Sequence, residues 1–198
     1  MEPSPLQMSD ALETWRTSVS PKDLDHLVAI VEDRGVLMII CILLFPAALP
    51  LPTGGFTHLF EIIALVPIVQ LIAGKNHALL PHRLRRMTLS TKFMDRFLPR
   101  AIRIIRWIEK HSHPRAARML SSQPARSAIG IVLLLLLAGA FLAPPFSGLD
   151  TLPAMGATLM ALGLLLKDVI VVLAGLGIGS LGWTLLILVG SFVVHLLG

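Results

Sequence analysis

Leu49-Pro50-Leu51-Pro52-Thr53-Gly54-Gly55 is the stretch that decides how this chain folds. Apolar residues run up to it from Val36 and resume beyond it from Leu59 to Ala73. Two prolines and two glycines within seven residues do not continue a helix. The apolar block 35–74 is therefore two arms with a break between them. Each arm holds about 15 residues, or about 22 Å of helix at about 1.5 Å per residue. A hydrocarbon core is about 30 Å thick and takes about 20 residues to cross, so each arm is short for an unaided crossing. Two readings are open: a hairpin that stops inside the bilayer and returns, which is preferred, or two tilted crossings joined at the far surface.

The same pattern recurs. Ser127–Ala143 is apolar, Pro144-Pro145-Phe146-Ser147-Gly148 breaks it, and Leu152–Leu166 returns. An offset of 93 residues superposes the two blocks without a gap, pairing Leu43 with Leu136, Ala47 with Ala140, Pro52 with Pro145, Gly55 with Gly148, Ala64 with Ala157 and Leu71 with Leu164. Leu and Ala matches come cheaply in apolar sequence; matched Pro and Gly at the break do not. Short apolar segments interrupted by Pro and Gly at corresponding places in two halves point to a transporter-like site. The plainer alternative is two ordinary hairpins that pack together.

Composition agrees with lipid as the solvent. Of 198 residues, 55% are apolar and 15% charged, too hydrophobic for an ordinary soluble domain. A single cysteine, Cys41, excludes a disulfide framework and a zinc cluster. The formal charge of +5 is unevenly spread: residues 1–34 carry 3 basic and 7 acidic groups, residues 75–126 carry 13 and 2. The acidic start, with no early apolar run, does not read as a signal peptide. Ser20-Pro21-Lys22-Asp23 reads as a helix start, followed by an apolar stripe at Leu24, Leu27, Val28 and Val31.

The basic middle is too charged for hydrocarbon. Arg83, Arg85 and Arg86 open it; then Phe93, Phe97, Ile104, Ile105 and Ile108 alternate with Arg96, Arg100, Arg103 and Arg106. This predicts an amphipathic helix, interrupted at Pro99, with apolar side chains among acyl chains and arginines among anionic lipid phosphates. Nucleic acid is disfavoured as a partner, because the arginines are interleaved with lipid-seeking residues. Lys/Arg-rich loops stay cytoplasmic, so the N-terminus and residues 75–126 are expected there. Both blocks would begin and end on that side, making the repeats parallel rather than inverted. The tail, 169–198, can span once with tilt or kink near Gly182; Gly175 and Gly179 give it a small-residue face for close helix packing, which also offers a homodimer contact.

The expected fold is therefore an all-α integral membrane protein in five segments. A cytosolic segment with an amphipathic helix (1–34) precedes a first hairpin (35–74). A basic interfacial segment (75–126), a second hairpin (127–168) and a Gly-rich transmembrane helix or helix pair (169–198) follow.

Several motifs fail on context. Gly177-Ile178-Gly179-Ser180-Leu181-Gly182 spells a dinucleotide fingerprint, but no strand precedes it. His111, His113, His77 and His82 lack a carboxylate or Cys cluster, so no metal is expected. No nucleophile elbow is present; neither catalytic residues nor a cofactor are assigned. The intramembrane polar groups are better candidates. Glu61 follows the first break, and a carboxylate at that depth is costly unless protonated, paired or wetted. It is either a structural acid satisfied by the other hairpin's turn or a proton or ion site. Gln70 is nine residues on, on the opposite helix face. Asp150 sits at the second break, with Pro52, Gly55, Pro145 and Gly148 shaping the two turns. Lys167 and Asp168 are expected to snorkel or pair at the interface.

The order of features resembles the ExoD family of bacterial exopolysaccharide-synthesis membrane proteins. The resemblance is carried by Glu32-Asp33-Arg34-Gly35, by Leu49-Pro50-Leu51-Pro52 with Gly54-Gly55, and by Gln70-Leu71-Ile72-Ala73-Gly74-Lys75. It continues through Leu80-Pro81-His82-Arg83-Leu84-Arg85-Arg86, Pro144-Pro145-Phe146 and Leu162-Gly163-Leu164-Leu165-Leu166-Lys167-Asp168. It implies a multi-pass protein of the inner membrane linked to exopolysaccharide production and, in related bacteria, to tolerance of alkaline conditions. It implies no defined reaction. Three functions compete: a small proton- or ion-linked transporter, a non-enzymatic scaffold for polysaccharide synthesis or export proteins, and an enzyme on lipid-linked sugars with a cleft near Arg83–Arg86.

Overall fold

The computed structural model describes residues 8–17, 35–49, 56–75, 95, 98–144 and 148–197. Among them the regular elements are all helices. The first apolar block gives α2 (Gly35–Leu44) and α3 (Phe56–Ile72). The second gives α6 (Gln123–Leu142) and α7 (Thr151–Leu166), and the tail is one helix, α8 (Val169–Leu197). Ahead of the first block lies α1 (Met8–Thr17); between the blocks lie α4 (Leu98–His111) and the single turn α5 (Ala117–Leu120).

The four block helices pack as a bundle in which α2 touches α3 and α7, and α6 touches α3 and α7. Helices α3 and α6 run antiparallel. At one end Gln123 and Ser127, in the first turns of α6, donate side-chain hydrogen bonds of 3.1 and 2.8 Å to the carbonyl of Ile72. At the other end His58 meets Phe141. The helix ends that flank the two breaks thus lie at one end of the bundle, and the hairpin feet at the other. The turn after α2 reaches the second break: Ala47, Ala140 and Ala154 form a separate buried cluster. Only a methyl-sized side chain lets three backbone segments approach this closely.

The longest interface joins α7 and α8, and glycine makes it possible. A β-carbon on Gly156 would lie 2.5 Å from the backbone of Gly179, one on Gly175 2.6 Å from the backbone of Met160, and one on Gly182 2.5 Å from the ring of Pro153. The Gly175/Gly179 spacing thus serves contact within the chain, and α8 runs through Gly182 with no break because Pro153 fills the notch beside it. The face that offered a homodimer contact is occupied by α7.

Helix α6 has 20 residues, about 30 Å of helix. It is longer than the arm expected from Ser127, because Gln123, Pro124, Ala125 and Arg126 extend it towards its start, where Pro is tolerated. The helix α6 and the Val169–Phe192 part of α8 are long and apolar enough to cross a membrane. Large apolar side chains stand exposed along α3 (Ile62, Val69), α6 (Ile131, Leu135) and α8 (Leu173, Leu188).

One expectation for the basic middle needs correction. Pro99 stands second in α4, and residues 96 and 97 before it lie outside the described residues. The apolar face of α4 does not lie open to acyl chains. Leu98, Ile102, Ile105 and Ile108 are buried in the protein, leaving Ile104 and Trp107 exposed. Part of their cover is α1, which the sequence reading missed: Leu12 and Trp15 are buried, Ser9 Oγ donates 2.5 Å to Glu109, and Asp10 pairs with Arg106 at 3.5 Å. The helix start expected at Ser20-Pro21 lies outside the described residues.

Candidate functional site

Glu61 sits in the second turn of α3, on the side that faces α6, and is 1% exposed. Three residues back on the same helix face, His58 Nδ1 lies 2.7 Å from Glu61 Oε2. The proton between them belongs to the ring or to the carboxyl, according to the tautomer. Glu61 Oε1 has no hydrogen-bond partner among the described residues. The His58 side chain is 23% exposed, so the pair leads from a buried oxygen to the molecular surface. Phe141 of α6 packs edge-on against the imidazole, ring centres 5.3 Å apart, and fixes its plane.

The second break contributes charge. Asp150 stands immediately before α7, half-buried, close enough for its charge to act on Glu61. Gly148 beside it holds φ +72° in open space, a backbone that glycine adopts without strain. The structure therefore brings Glu61, Asp150 and His58 to one end of the bundle. Gln70 is on the same helix as Glu61 but nine residues on, about 13 Å along the axis. It belongs with the hairpin feet. Pro52, Gly55 and Pro145 lie outside the described residues. His58 was not singled out from sequence, although the His-x-x-Glu spacing, one helical turn, was there to be read.

At the opposite end sits a second buried carboxylate that is fully engaged. Asp168 joins α7 to α8 and is 1% exposed. Its Oδ1 accepts the Ile170 N–H at 3.0 Å, a helix cap; its Oδ2 accepts the Ser112 hydroxyl at 3.0 Å and the His113 N–H at 2.9 Å, with Arg115 3.6 Å away. Burial alone would raise its pKa; the backbone and hydroxyl donors and the Arg115 charge outweigh burial and hold the carboxyl below its ordinary value. Asp168 thus ties the segment after α4 to the foot of the second hairpin. Lys167 beside it is exposed.

Of the arginines expected at lipid phosphates, Arg83, Arg85, Arg86 and Arg96 lie outside the described residues. Arg100, Arg103 and Arg106 are exposed on α4. Arg103 and Arg106 line a polar groove with Arg16 and Lys110, between α4 and α1. No group of three or more metal-ligating side chains occurs among the described residues.

Comparison with known proteins bears on this arrangement in three ways. No solved structure matches the chain. The uncharacterized protein slr1875 of Synechocystis sp. (strain ATCC 27184 / PCC 6803 / Kazusa) is 25% identical over 154 residues, covering 78% of this chain and 72% of that one. The family model described as "Exopolysaccharide synthesis, ExoD" matches residues 8–188, a span that begins with α1 and takes in both hairpins and most of α8. The chain, with its paired carboxylates at the two ends of the hairpin bundle, belongs to the ExoD family.

Proposed function

We propose that this chain is a multi-pass protein of the bacterial inner membrane that serves exopolysaccharide synthesis as a small proton-linked transporter, with His58 and Glu61 as its proton site. The observation that carries the reading is the His58–Glu61 contact of 2.7 Å, buried at the carboxyl and open at the imidazole. A carboxyl deep in an apolar bundle, with one oxygen unpartnered among the described residues, costs several kcal/mol as a lone anion. That cost falls when a proton is shared with the imidazole, so the pair is built to gain and lose one. Asp150 from the second hairpin adds a like charge whose approach or withdrawal changes that balance.

The reading takes the two hairpins as copies of one unit. Their packing supports this: exchanging one hairpin for the other turns the α2–α7 contact into the α6–α3 contact, and both occur. Ala47 and Ala140, equivalent by the 93-residue offset, meet in one cluster, as residues beside a two-fold axis do. Lengths of 17 and 16 residues make α3 and α7 return arms short of a full crossing, beside α6, the first arm of the second hairpin, and α8, both long enough to span.

The experiment is growth of a host lacking its own copy, complemented by wild type or Glu61→Gln. The variant is expected to accumulate in the membrane at wild-type level yet fail to restore polysaccharide yield and alkaline growth. Equal restoration by both rejects the proton site. A second reading, a scaffold for synthesis or export proteins, draws on the tight Ala47–Ala140–Ala154 contact. It predicts that a polymerase or export component co-purifies with wild type and Glu61→Gln alike, and that both complement.

A further inference from the structure

Four cations converge on the groove of about 460 Å³ between α1 and α4. Arg103, Arg106 and Lys110 stand at i, i+3 and i+7 on one face of α4, and Arg16 comes from the last turn of α1. Two of the four are engaged. Glu13, which lines the same groove, holds Arg16 at 2.6 Å, with Asp95 near enough to act on it, and Asp10 holds Arg106 at 3.5 Å. Arg103 and Lys110 are exposed and have no carboxylate within ion-pair distance among the described residues. A concave surface with unneutralised charge of one sign focuses the field and gathers counter-ions. The groove also has an aromatic wall. The Trp107 indole lines it, 64% exposed, and the His111 ring packs against that indole with centres 4.7 Å apart, which holds it in place.

We infer that this groove binds a water-soluble phosphate monoester that carries a ring, with the phosphate on Arg103 and Lys110 and the ring on Trp107. Charge selects the monoester. Two unpaired cations match a dianion, and a monoester carries about −1.5 to −2 at neutral pH, whereas the phosphodiester of a bilayer lipid is singly charged. Arginine meets phosphate oxygens two at a time through its planar fork, and lysine adds a point charge. Shape selects the ring: the volume is that of a small-molecule site rather than of phosphate alone, and an exposed indole offers a flat group a face to stack on. The site is independent of His58 and Glu61, which do not line it. It gives α1 a role beyond covering isoleucines: its carboxylates hold Arg16 and Arg106 at the rim and leave Arg103 and Lys110 for the ligand.

The test is calorimetric titration of the full chain in a neutral detergent with three probes: phenyl phosphate, inorganic phosphate and dihexanoyl phosphatidylglycerol. Phenyl phosphate is expected to bind most tightly. Arg103→Gln and Lys110→Gln are each expected to weaken it by about tenfold, the loss of one charge-assisted contact. Arg118→Gln, which removes an exposed cation outside the groove, is expected to leave it unchanged. Trp107→Ala is expected to weaken phenyl phosphate several-fold and inorganic phosphate not at all. Arg103 and Lys110 are exposed, so both variants are expected to melt at the wild-type temperature, which shows that they have folded. Absence of phenyl phosphate binding, or binding that Arg103→Gln and Lys110→Gln weaken no more than Arg118→Gln does, overturns the site. Tighter binding of phosphatidylglycerol than of phenyl phosphate overturns the assignment to a soluble monoester and makes the groove a lipid headgroup contact. Equal loss of phenyl and inorganic phosphate in Trp107→Ala overturns the ring.

Discussion

Gly74 and Lys167, related by the same 93-residue offset as the two breaks, close their helices in the same way. Both hold positive φ, +77° and +57°. At the first, the N–H groups of Gly74 and Lys75 donate to Leu71 and Gln70; at the second, those of Lys167 and Asp168 donate to Leu164 and Gly163, register for register. This is the glycine-type helix stop in which two carbonyls are satisfied by reversal of the chain. One hairpin has the residue the geometry favours, and the other carries a lysine there.

The asymmetry is measurable. A left-handed L-residue costs about 1–2 kcal/mol, partly offset in a glycine variant by the freedom that glycine has in the unfolded chain. Lys167→Gly is expected to leave stability unchanged or raise it by up to about 1 kcal/mol. Gly74→Ala is expected to lower it by about 1–2 kcal/mol, because the backbone is strained and the new β-carbon lies 2.8 Å from the Gln123 amide that holds Ile72. Thermal unfolding in detergent, followed by circular dichroism, distinguishes them; equal shifts would remove the argument.

Asp168 gives a pH prediction with a definite sign. Its folded-state pKa lies below the ordinary value of 3.8, the net result of burial opposed by stronger donors. A depressed carboxylate contributes stability that is complete above the unfolded pKa and lost as pH falls through the folded one. Wild type is therefore expected to lose stability below about pH 4, and Asp168→Asn to show less of that acid loss. Asp168→Ala leaves the Ser112 hydroxyl and two backbone N–H groups without their acceptor, at a cost of about 3 kcal/mol at neutral pH. Unfolding midpoints from pH 3 to 7 check both statements.

The α7–α8 contact predicts opposite outcomes for two glycines on one helix. Gly179→Val drives a branched side chain into Leu136 of α6, 2.6 Å from the new β-carbon, at the point where α7 packs on α8, and is expected to cost about 3 kcal/mol or to abolish folding. Gly177→Ala faces open space and is expected to gain up to about 1 kcal/mol of helix propensity. Expression level and melting temperature report the contrast; similar losses at both positions would mean that α8 does not seat on α7 in this register.

Much of this architecture could be read from the sequence, and the unread parts share a cause. The breaks at residues 49–55 and 144–148 and the helices beside them follow from Pro and Gly, whose effect is local. The glycine ridge at Gly175 and Gly179 was legible for the same reason, though its partner was not: spacing says that a helix will approach, not which one. Glu61 stood out as an acid among apolar residues, while His58 passed unnoticed because a histidine near a break reads as interfacial. Asp168 looked like half of a surface pair. Its donors, Ser112 and His113, are more than fifty residues away, and no local pattern announces them. The same limit misassigned the apolar face of α4, where periodicity identifies the buried side but not whether lipid or protein covers it.

The imidazole should matter separately from the carboxyl. His58→Gln removes the titrating ring while keeping a polar side chain beside Glu61. It is expected to slow any proton-linked transport by about a hundredfold, the lower end of the usual range for losing a positioned proton carrier, with little change in melting temperature. A change in stability with transport preserved would make His58 structural.

The most direct test of the account is proton flux. Purified protein is reconstituted in liposomes loaded with a pH-sensitive dye, a pH step is imposed, and wild type is compared with Glu61→Gln, with Gly177→Ala as a folded control. The account predicts dye equilibration faster than in empty liposomes for wild type and Gly177→Ala, and equilibration at the empty-liposome rate for Glu61→Gln. Wild-type flux no faster than empty liposomes, or flux that Glu61→Gln leaves undiminished, would contradict it.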